Sequence, residues 1–491
     1  MADFIGAIDQ GTTSTRFLIF DRAGQVVASA QKEHQQIYPQ AGWVEHDADE
    51  IWRRTCEVVS EAMAQRGLLP GDLAAIGITN QRETTLLWDR ATGRAVGHAI
   101  VWQDRRTAPM CARMKEAGLE ALIRDRTGLV LDPYFSATKI RWMLDHHPGL
   151  AEGAGRGEIA FGTVDSFLIW RLSGGAAHVT DASNASRTLL FDLHARAFSA
   201  ELTDLFGVPR ALLPGVVGSA EVVATTRNVP GLPDGIPIAG IAGDQQAALF
   251  GQDCLTPGDV KCTFGTGAFV LMNVGGTPVR SQAGLLGTVA WTLDGVTTYA
   301  LEGSAFIAGA LVQWLRDGLQ IIAQAADVEE LAASVPDAGG VVIVPALAGL
   351  GAPHWRPEAR GIISGITRGT TRAHIARAAL EAIALQNVDL VAAMRSDAGR
   401  PIQRMRVDGG AAANNLLMQL QADFLGVPVV RPAMLESTAL GAAKLAARGV
   451  GLSLAQSGED TSTATRVFTP SIGEDERLGR IAVWRAAVAK A

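Results

Sequence analysis

Two aspartates and two small, hydroxyl-bearing turns are the residues of this chain best suited to chemistry. Asp9 follows the apolar run 4–8, and Asp244 follows the apolar run 235–243, so each short carboxylate stands where a strand would open into a crevice. Gly11-Thr12-Thr13-Ser14 follows the first aspartate after Gln10, and Gly265-Thr266-Gly267 comes soon after the second. Small residues let an anion approach converging backbone N–H groups, and the hydroxyls add donors. Arg16 supplies a nearby cation of the kind that pairs with phosphate. Phosphoryl transfer to an alcohol needs donors around the phosphates, a metal to offset their charge, and a carboxylate to take the proton of the nucleophile. Taken singly, each turn also reads as a tight hairpin and each aspartate as a turn former or helix cap. As a matched pair, the turns point to a nucleotide clamped between two halves. The two aspartates can divide the roles of metal holder and base.

A second constellation suits a polyol. Asn80-Gln81-Arg82-Glu83-Thr84-Thr85 offers amides, a cation and an anion in succession, with Arg82 to donate and Glu83 to accept hydrogen bonds from hydroxyls. Trp102 and Tyr134 can form a flat apolar wall for a short carbon skeleton. The plain alternative is a surface ion pair and two half-buried aromatics. Neither G-x-x-x-x-G-K-[ST] nor a strand-linked G-x-G-x-x-G occurs, so a nucleotide here requires another scaffold.

The elements that must hold these residues can be read from patterning. Residues 4–8 and 17–20 are apolar runs flanking a small polar turn, which predicts a hairpin opening a sheet. Residues 261–272 repeat that plan about half a chain later. Further strands are expected at 74–79, 101–103, 235–243 and 405–408. Helices are expected at 50–65, 245–252, 370–395 and 415–425. The repeated plan suggests two domains, 1–247 and 248–491, touching along a cleft.

Composition agrees with this picture. The chain has 491 residues, 48% hydrophobic and 19% charged, more than one core usually spans. A net charge of −7 speaks against a nonspecific nucleic-acid binder. The start, Met1-Ala2-Asp3-Phe4, lacks a secretory pattern, and no apolar stretch of about 18 residues interrupts the chain. A cytoplasmic protein without stable membrane insertion is therefore expected. Cys56, Cys111, Cys254 and Cys262 are scattered, which predicts reduced thiols rather than a disulfide framework or metal site.

The ordered motifs resemble the glycerol kinases of the FGGY group of carbohydrate kinases, within the actin-like ATPase superfamily. The resemblance rests on Ile8-Asp9-Gln10-Gly11-Thr12-Thr13-Ser14, Gly42-Trp43-Val44-Glu45-His46-Asp47, Asn80 to Thr85, Val101-Trp102-Gln103 and Asp132-Pro133-Tyr134. It continues through Thr180 to Thr188, Gly243-Asp244-Gln245-Gln246, Gly265-Thr266-Gly267, Leu301-Glu302-Gly303, Val407-Asp408-Gly409-Gly410 and Thr438-Ala439-Leu440-Gly441. It implies an α/β fold of two actin-like, ribonuclease H-like domains, mixed sheets flanked by helices, with ATP in the cleft between them. It further implies terminal phosphates at Thr12, Thr13, Ser14 and Arg16, and the rest of the nucleotide at Thr266, Gly309, Gln313, Gly410 and Asn414. Arg82, Glu83, Tyr134, Asp244 and Gln245 would hold glycerol, with Trp102 and Phe269 against its carbons. Asp244 would be the base, and Asp9 with Asp244 would hold Mg²⁺, through water or directly. The implied product is sn-glycerol 3-phosphate, and the implied assembly a homodimer or homotetramer.

The alternatives are another polyol or sugar kinase of this fold, or a non-kinase actin-like ATPase, which needs neither the Arg82-Glu83 pair nor a base at Asp244. Two regulatory features of relatives do not carry over. The stretch 228–235 is short and lacks a Gly-rich loop with an arginine, and the segment after Gln456 diverges.

Overall fold

The computed structural model describes residues 3–65, 67–68, 70–356, 358–455 and 465–491. Met1, Ala2 and the first part of the divergent C-terminal segment, 456–464, lie outside the described residues. Two mixed sheets organise the chain. The first has six strands in the order Ala224–Thr225, Pro237–Gly243, Leu73–Asn80, Phe4–Gln10, Ser14–Phe20 and Val26–Glu33. The second has seven, in the order Leu286–Leu293, Val296–Ala305, Ala268–Gly275, Val260–Phe264, Met405–Asp408, Val429–Arg431 and Arg466–Phe468. Each contains the expected strand–turn–strand unit, antiparallel within itself and parallel to a later strand on its other side.

Register brings the candidate residues to one end of each sheet. Gln10 lies opposite Asn80, and Asn80 opposite Gly243. The turn after Gln10, the segment 81–83 and Asp244 therefore leave the first sheet side by side. In the second sheet Thr263 faces Asp408, so the turn 265–267 emerges beside Gly409-Gly410. These are the carboxyl ends of parallel strands, where ligands of such sheets gather.

The helices follow their apolar spacing. Ala48–Gln65 buries Ile51, Thr55, Val58, Val59 and Ala62 against the first sheet, one stripe of a 3.6-residue period. Arg372–Ala398 runs through the core of the second half, and Thr371 and His374 cap its start reciprocally. The strand expected at 101–103 is not formed. The strand is Ala99–Ile100, and Asp104 N–H closes a turn on Val101 O at 3.0 Å. The Asp104 carboxylate accepts Val44 N–H at 2.7 Å, which holds the turn and leaves Trp102 at its apex.

The helix Ser437–Gly449 comes late in the chain yet packs on the first sheet. Ala439, Ala442, Ala443 and Ala446 share a core with Ile5, Ala7, Leu18 and Ala75. Backbone approaches backbone there. A Cβ on Gly77 would lie 2.2 Å from Ala442 O, and one on Gly441 would lie 1.8 Å from Ala247 O. Glycine is required at both points because any side chain would displace the opposing main chain. The expected division near residue 247 falls inside the helix Asp244–Gly251.

Among the described residues no helix is long and apolar enough to cross a membrane. All four cysteines are free and buried, and burial pushes Cys56 up to about 11 and Cys111 to about 12.

Candidate active site

The turn between the first two strands closes with Gly11 N–H donating to Ser14 O at 3.0 Å. Thr13 is exposed, Thr12 half-buried and Ser14 buried. Trp102 Nε1 donates to Thr12 Oγ1 at 2.9 Å, which ties the expected apolar wall to the expected phosphate turn. Ser14 Oγ accepts from Gln31 Nε2 at 3.0 Å. Asp9 and Arg16 are cross-strand partners and form an ion pair. Arg16 also reaches Glu436 Oε2 at 2.5 Å, beside the start of the helix Ser437–Gly449. Asp9 is 3% exposed, so the carboxylate side of this pair is buried.

Arg82 and Glu83 are each 2% exposed, which excludes the plain surface ion pair. Arg82 Nη2 donates to Glu302 Oε1 at 2.8 Å, and its Nη1 is paired with the other oxygen of Glu302. Arg82 Nη2 also lies 3.3 Å from Tyr134 Oη, and Arg82 Nε lies 3.4 Å from Asp244 Oδ1. Arg187 Nε donates to Glu83 Oε1 at 2.7 Å, and Arg187 Nη2 donates to Glu302 Oε1 at 3.0 Å. Two guanidiniums and two carboxylates thus form a closed buried network with Asp244 at its edge. Such a network costs desolvation that apolar packing would avoid, so its presence calls for a polar ligand or a polar reaction.

Asp244 is the first residue of its helix, and 30% of its side chain remains accessible. Burial pushes its carboxyl up to about 6, with Glu83 adding to the rise, while Arg82 and Lys261 oppose it. A carboxylate with that affinity for a proton is ionised at neutral pH and still basic enough to accept one. Glu302 moves the other way. The Arg187 and Arg82 guanidiniums outweigh its burial and hold its carboxyl down at about 2.

The second sheet contributes one face. Cross-strand pairing sets Lys261 beside Leu271, Thr263 beside Phe269, Leu271 beside Glu302 and Phe269 beside Ser304. With side chains alternating along each strand, Lys261, Phe269 and Glu302 share the side that meets Arg82. Lys261 Nζ bonds Gln245 Oε1 and donates to Thr263 Oγ1 at 2.8 Å. Burial lowers its affinity for a proton against the pull of Asp408 and Asp244. Trp102 and Tyr134 meet edge to face at 5.5 Å.

The remaining nucleotide candidates cluster around the turn 265–267, at the carboxyl end of the second sheet. Gly309 N–H donates to Gly265 O at 3.0 Å, and Ala310 N–H to Thr266 O at 3.0 Å, so the helix Gly309–Asp317 starts on the turn 265–267. Gln313 is exposed one turn along that helix. Gly409, at φ +84°, crosses Phe264 so closely that a Cβ would lie 2.5 Å from its carbonyl oxygen. Gly410 is exposed next to it. Asn414 Oδ1 caps the helix Asn415–Leu425 by accepting Leu417 N–H at 2.8 Å, leaving its amide nitrogen for other partners.

Sequence reasoning assigned no role to Arg187, Gln246, Lys261 or Glu302. A signal existed for Glu302 and Lys261, each a lone charge inside a strand of otherwise uncharged residues, Val296–Ala305 and Val260–Phe264. Arg187 carried none, because nothing local to it foretells Glu83 as a partner.

Comparison with known proteins agrees with this architecture. Residues 4–251 match the N-terminal domain of the FGGY family of carbohydrate kinases, and residues 260–450 match its C-terminal domain. A glycerol kinase of Myxococcus xanthus is 58% identical over 493 residues, covering 100% of this chain and 99% of that relative. A glycerol kinase of Aromatoleum aromaticum is 59% identical, covering 99% and 98%. The crystal structure of Plasmodium falciparum glycerol kinase with ADP superimposes with a TM-score of 0.91 at 33% identity, covering 99% of this chain and 98% of that one. With paired sheets, paired turns and both domain matches spanning most of its length, the chain belongs to the FGGY family of carbohydrate kinases.

Proposed function

We propose that this enzyme phosphorylates glycerol at the expense of ATP, with Asp244 as general base. Full-length identity of 56–59% to many glycerol kinases supports the activity. The observation that carries the mechanism is Asp244 itself: a carboxylate near pH 6 in its proton affinity, open to the cleft, and 3.4 Å from Arg82. Glycerol would lie between Arg82, Glu83, Tyr134, Asp244 and Gln245, its carbons against Trp102 and Phe269. Asp244 accepts the proton of one hydroxyl as that oxygen bonds the terminal phosphorus of ATP and the bond to the ADP oxygen breaks. Arg82 keeps the carboxylate aimed and ionised. Closure of the two halves around this network excludes water, which would otherwise compete with glycerol for the phosphoryl group.

ATP would place its terminal phosphates on Thr12, Thr13, Ser14 and Arg16. Its remainder would lie along Thr266, Gly309, Gln313, Gly410 and Asn414. Among the described residues no group of three or more acidic, histidine or cysteine side chains could hold a metal ion alone. Two carboxylates at the carboxyl end of one sheet, Asp9 and Asp244, nevertheless suit Mg²⁺, which commonly takes only one or two protein carboxylates. Mg²⁺ would supply charge neutralisation for the phosphates.

The test is a coupled assay of ADP release with ATP and Mg²⁺, with and without glycerol, with the product identified by mass spectrometry. Glycerol-dependent turnover yielding glycerol 3-phosphate is expected. ADP release indifferent to glycerol, with no phosphorylated product, would overturn the reading.

A further inference from the structure

The motif Gly42 to Asp47 has no part in the site described above, yet its histidine lies directly behind the phosphate turn. His46 is fully buried, on the short strand Glu45–His46. Its Nε2 lies 2.8 Å from Gln36 Oε1, and its Nδ1 lies 3.3 Å from Gln81 Nε2. Both glutamines then reach the turn. Gln36 Nε2 donates to Thr12 O at 2.9 Å, and Gln81 Nε2 donates to Gly11 O at 3.2 Å.

These contacts admit one arrangement of protons. An amide oxygen cannot donate, so His46 must carry its hydrogen on Nε2 and present a lone pair at Nδ1. That tautomer turns the Gln36 oxygen inward and sends its NH₂ group to Thr12 O. It also accepts one Gln81 hydrogen while the other goes to Gly11 O. Thr84 Oγ1 donates to Gln81 Oε1 at 2.8 Å and fixes that amide from its far side. Burial and the neighbouring His34 ring, 4.6 Å away, hold His46 down at about 3, so it stays neutral wherever the enzyme works.

We infer that His46 is a positioning residue for phosphate binding, which orients Gln36 and Gln81 so that they hold the carbonyls of Gly11 and Thr12 back and leave the opposite ends of those peptides, the N–H groups of Thr12 and Thr13, toward the nucleotide. The inference rests on the reading of 11–14 as a phosphate turn. Preorganised donors matter because turning a peptide during the reaction would cost part of the stabilisation they provide. Neither His46 nor Gln36 needs to touch a substrate for this.

The test is steady-state kinetics of the full chain with ATP and glycerol varied separately. Gln36→Met keeps the bulk of a half-buried side chain and loses its amide, so it reports even where a His46 variant folds poorly. Gln36→Met and His46→Phe are each expected to lower kcat/KM for ATP by roughly 10–100-fold while KM for glycerol moves less than about twofold. The double variant is expected to be little worse than His46→Phe, because both act on one tether. His46→Gln keeps a donor near the Nε2 position and is expected to recover part of the loss. Unchanged ATP kinetics in both single variants, or losses that simply multiply in the double variant, would overturn the role of His46. Thr12→Val separates the two readings. If it impairs ATP use while Gln36→Met and His46→Phe do not, only the positioning role fails. If all three are without effect, the phosphate turn falls and the positioning role with it.

Discussion

Replacing Asp244 by Asn should make the protein more stable and almost inactive, with a pH signature that reveals the cause. The carboxyl lies at about 6 in the folded protein against 3.8 when unperturbed, chiefly through burial. Ionising it in the fold thus costs roughly 3 kcal/mol more than in the unfolded chain. Its side chain is 30% accessible, and Asn keeps an oxygen for the Gln245 N–H that now bonds Asp244 Oδ1 at 2.7 Å. The attraction of Arg82 is already included in that value, and the remaining discount is solvent screening of the accessible carboxylate, which leaves about 1–2 kcal/mol. The sign follows from a raised acid. Folding favours the protonated form, so the penalty is absent below pH 3.8, grows as pH rises to about 6, and is constant above that. Thermal melts at pH 4 and pH 7.5 should therefore show little gain for Asp244→Asn at the lower pH and a gain of a few degrees at the higher. Turnover at pH 7.5 should fall by roughly 10²–10⁴. In the unaltered enzyme kcat/KM for glycerol should decline as pH falls below about 6. A variant less stable at pH 7.5, an equal gain at both pH values, or near-normal turnover would refute the reasoning.

Other substitutions probe the surrounding network. Glu83→Gln should raise KM for glycerol far more than KM for ATP, and equal loss of both would mean that the residue serves the fold alone. Glu302→Gln leaves Arg82 and Arg187 short of one buried carboxylate charge, and Arg187 Nη1 already has no protein partner. It should cost about 3–5 kcal/mol in denaturant melts and weaken glycerol use; a variant as stable as the parent would contradict the closed-network description. Gly441→Ala drives a Cβ to 1.8 Å from Ala247 O, in the packing between the helices Ser437–Gly449 and Asp244–Gly251. Unfolding free energy should fall by about 3 kcal/mol or more, and activity should fall with it because Asp244 begins the displaced helix.

Much of this protein was legible in one dimension because the relevant signals are short-range. The apolar runs and Gly/Thr turns specified both strand–turn–strand units, and the helix Asn415–Leu425 and strand Met405–Asp408 fell where their patterning put them. Asp244 could be singled out because a carboxylate ending an apolar strand is unusual wherever it occurs. Local pattern failed at 101–103, where a turn held by Asp104 overrides the apolar Val101-Trp102 pair. The helix Ser437–Gly449 comes late in the chain yet covers the first sheet, a packing that position along the chain does not foretell. The charged network lay furthest beyond reach. Arg82 meets Glu302 from 220 residues away, and Glu83 meets Arg187 from 104. The sequence determined which residue types were present to bind phosphate and polyol. Only the folded sheets decided which charges face one another, because a buried ion pair depends on distance in space and on the water excluded around it, and neither is a property of neighbours along the chain.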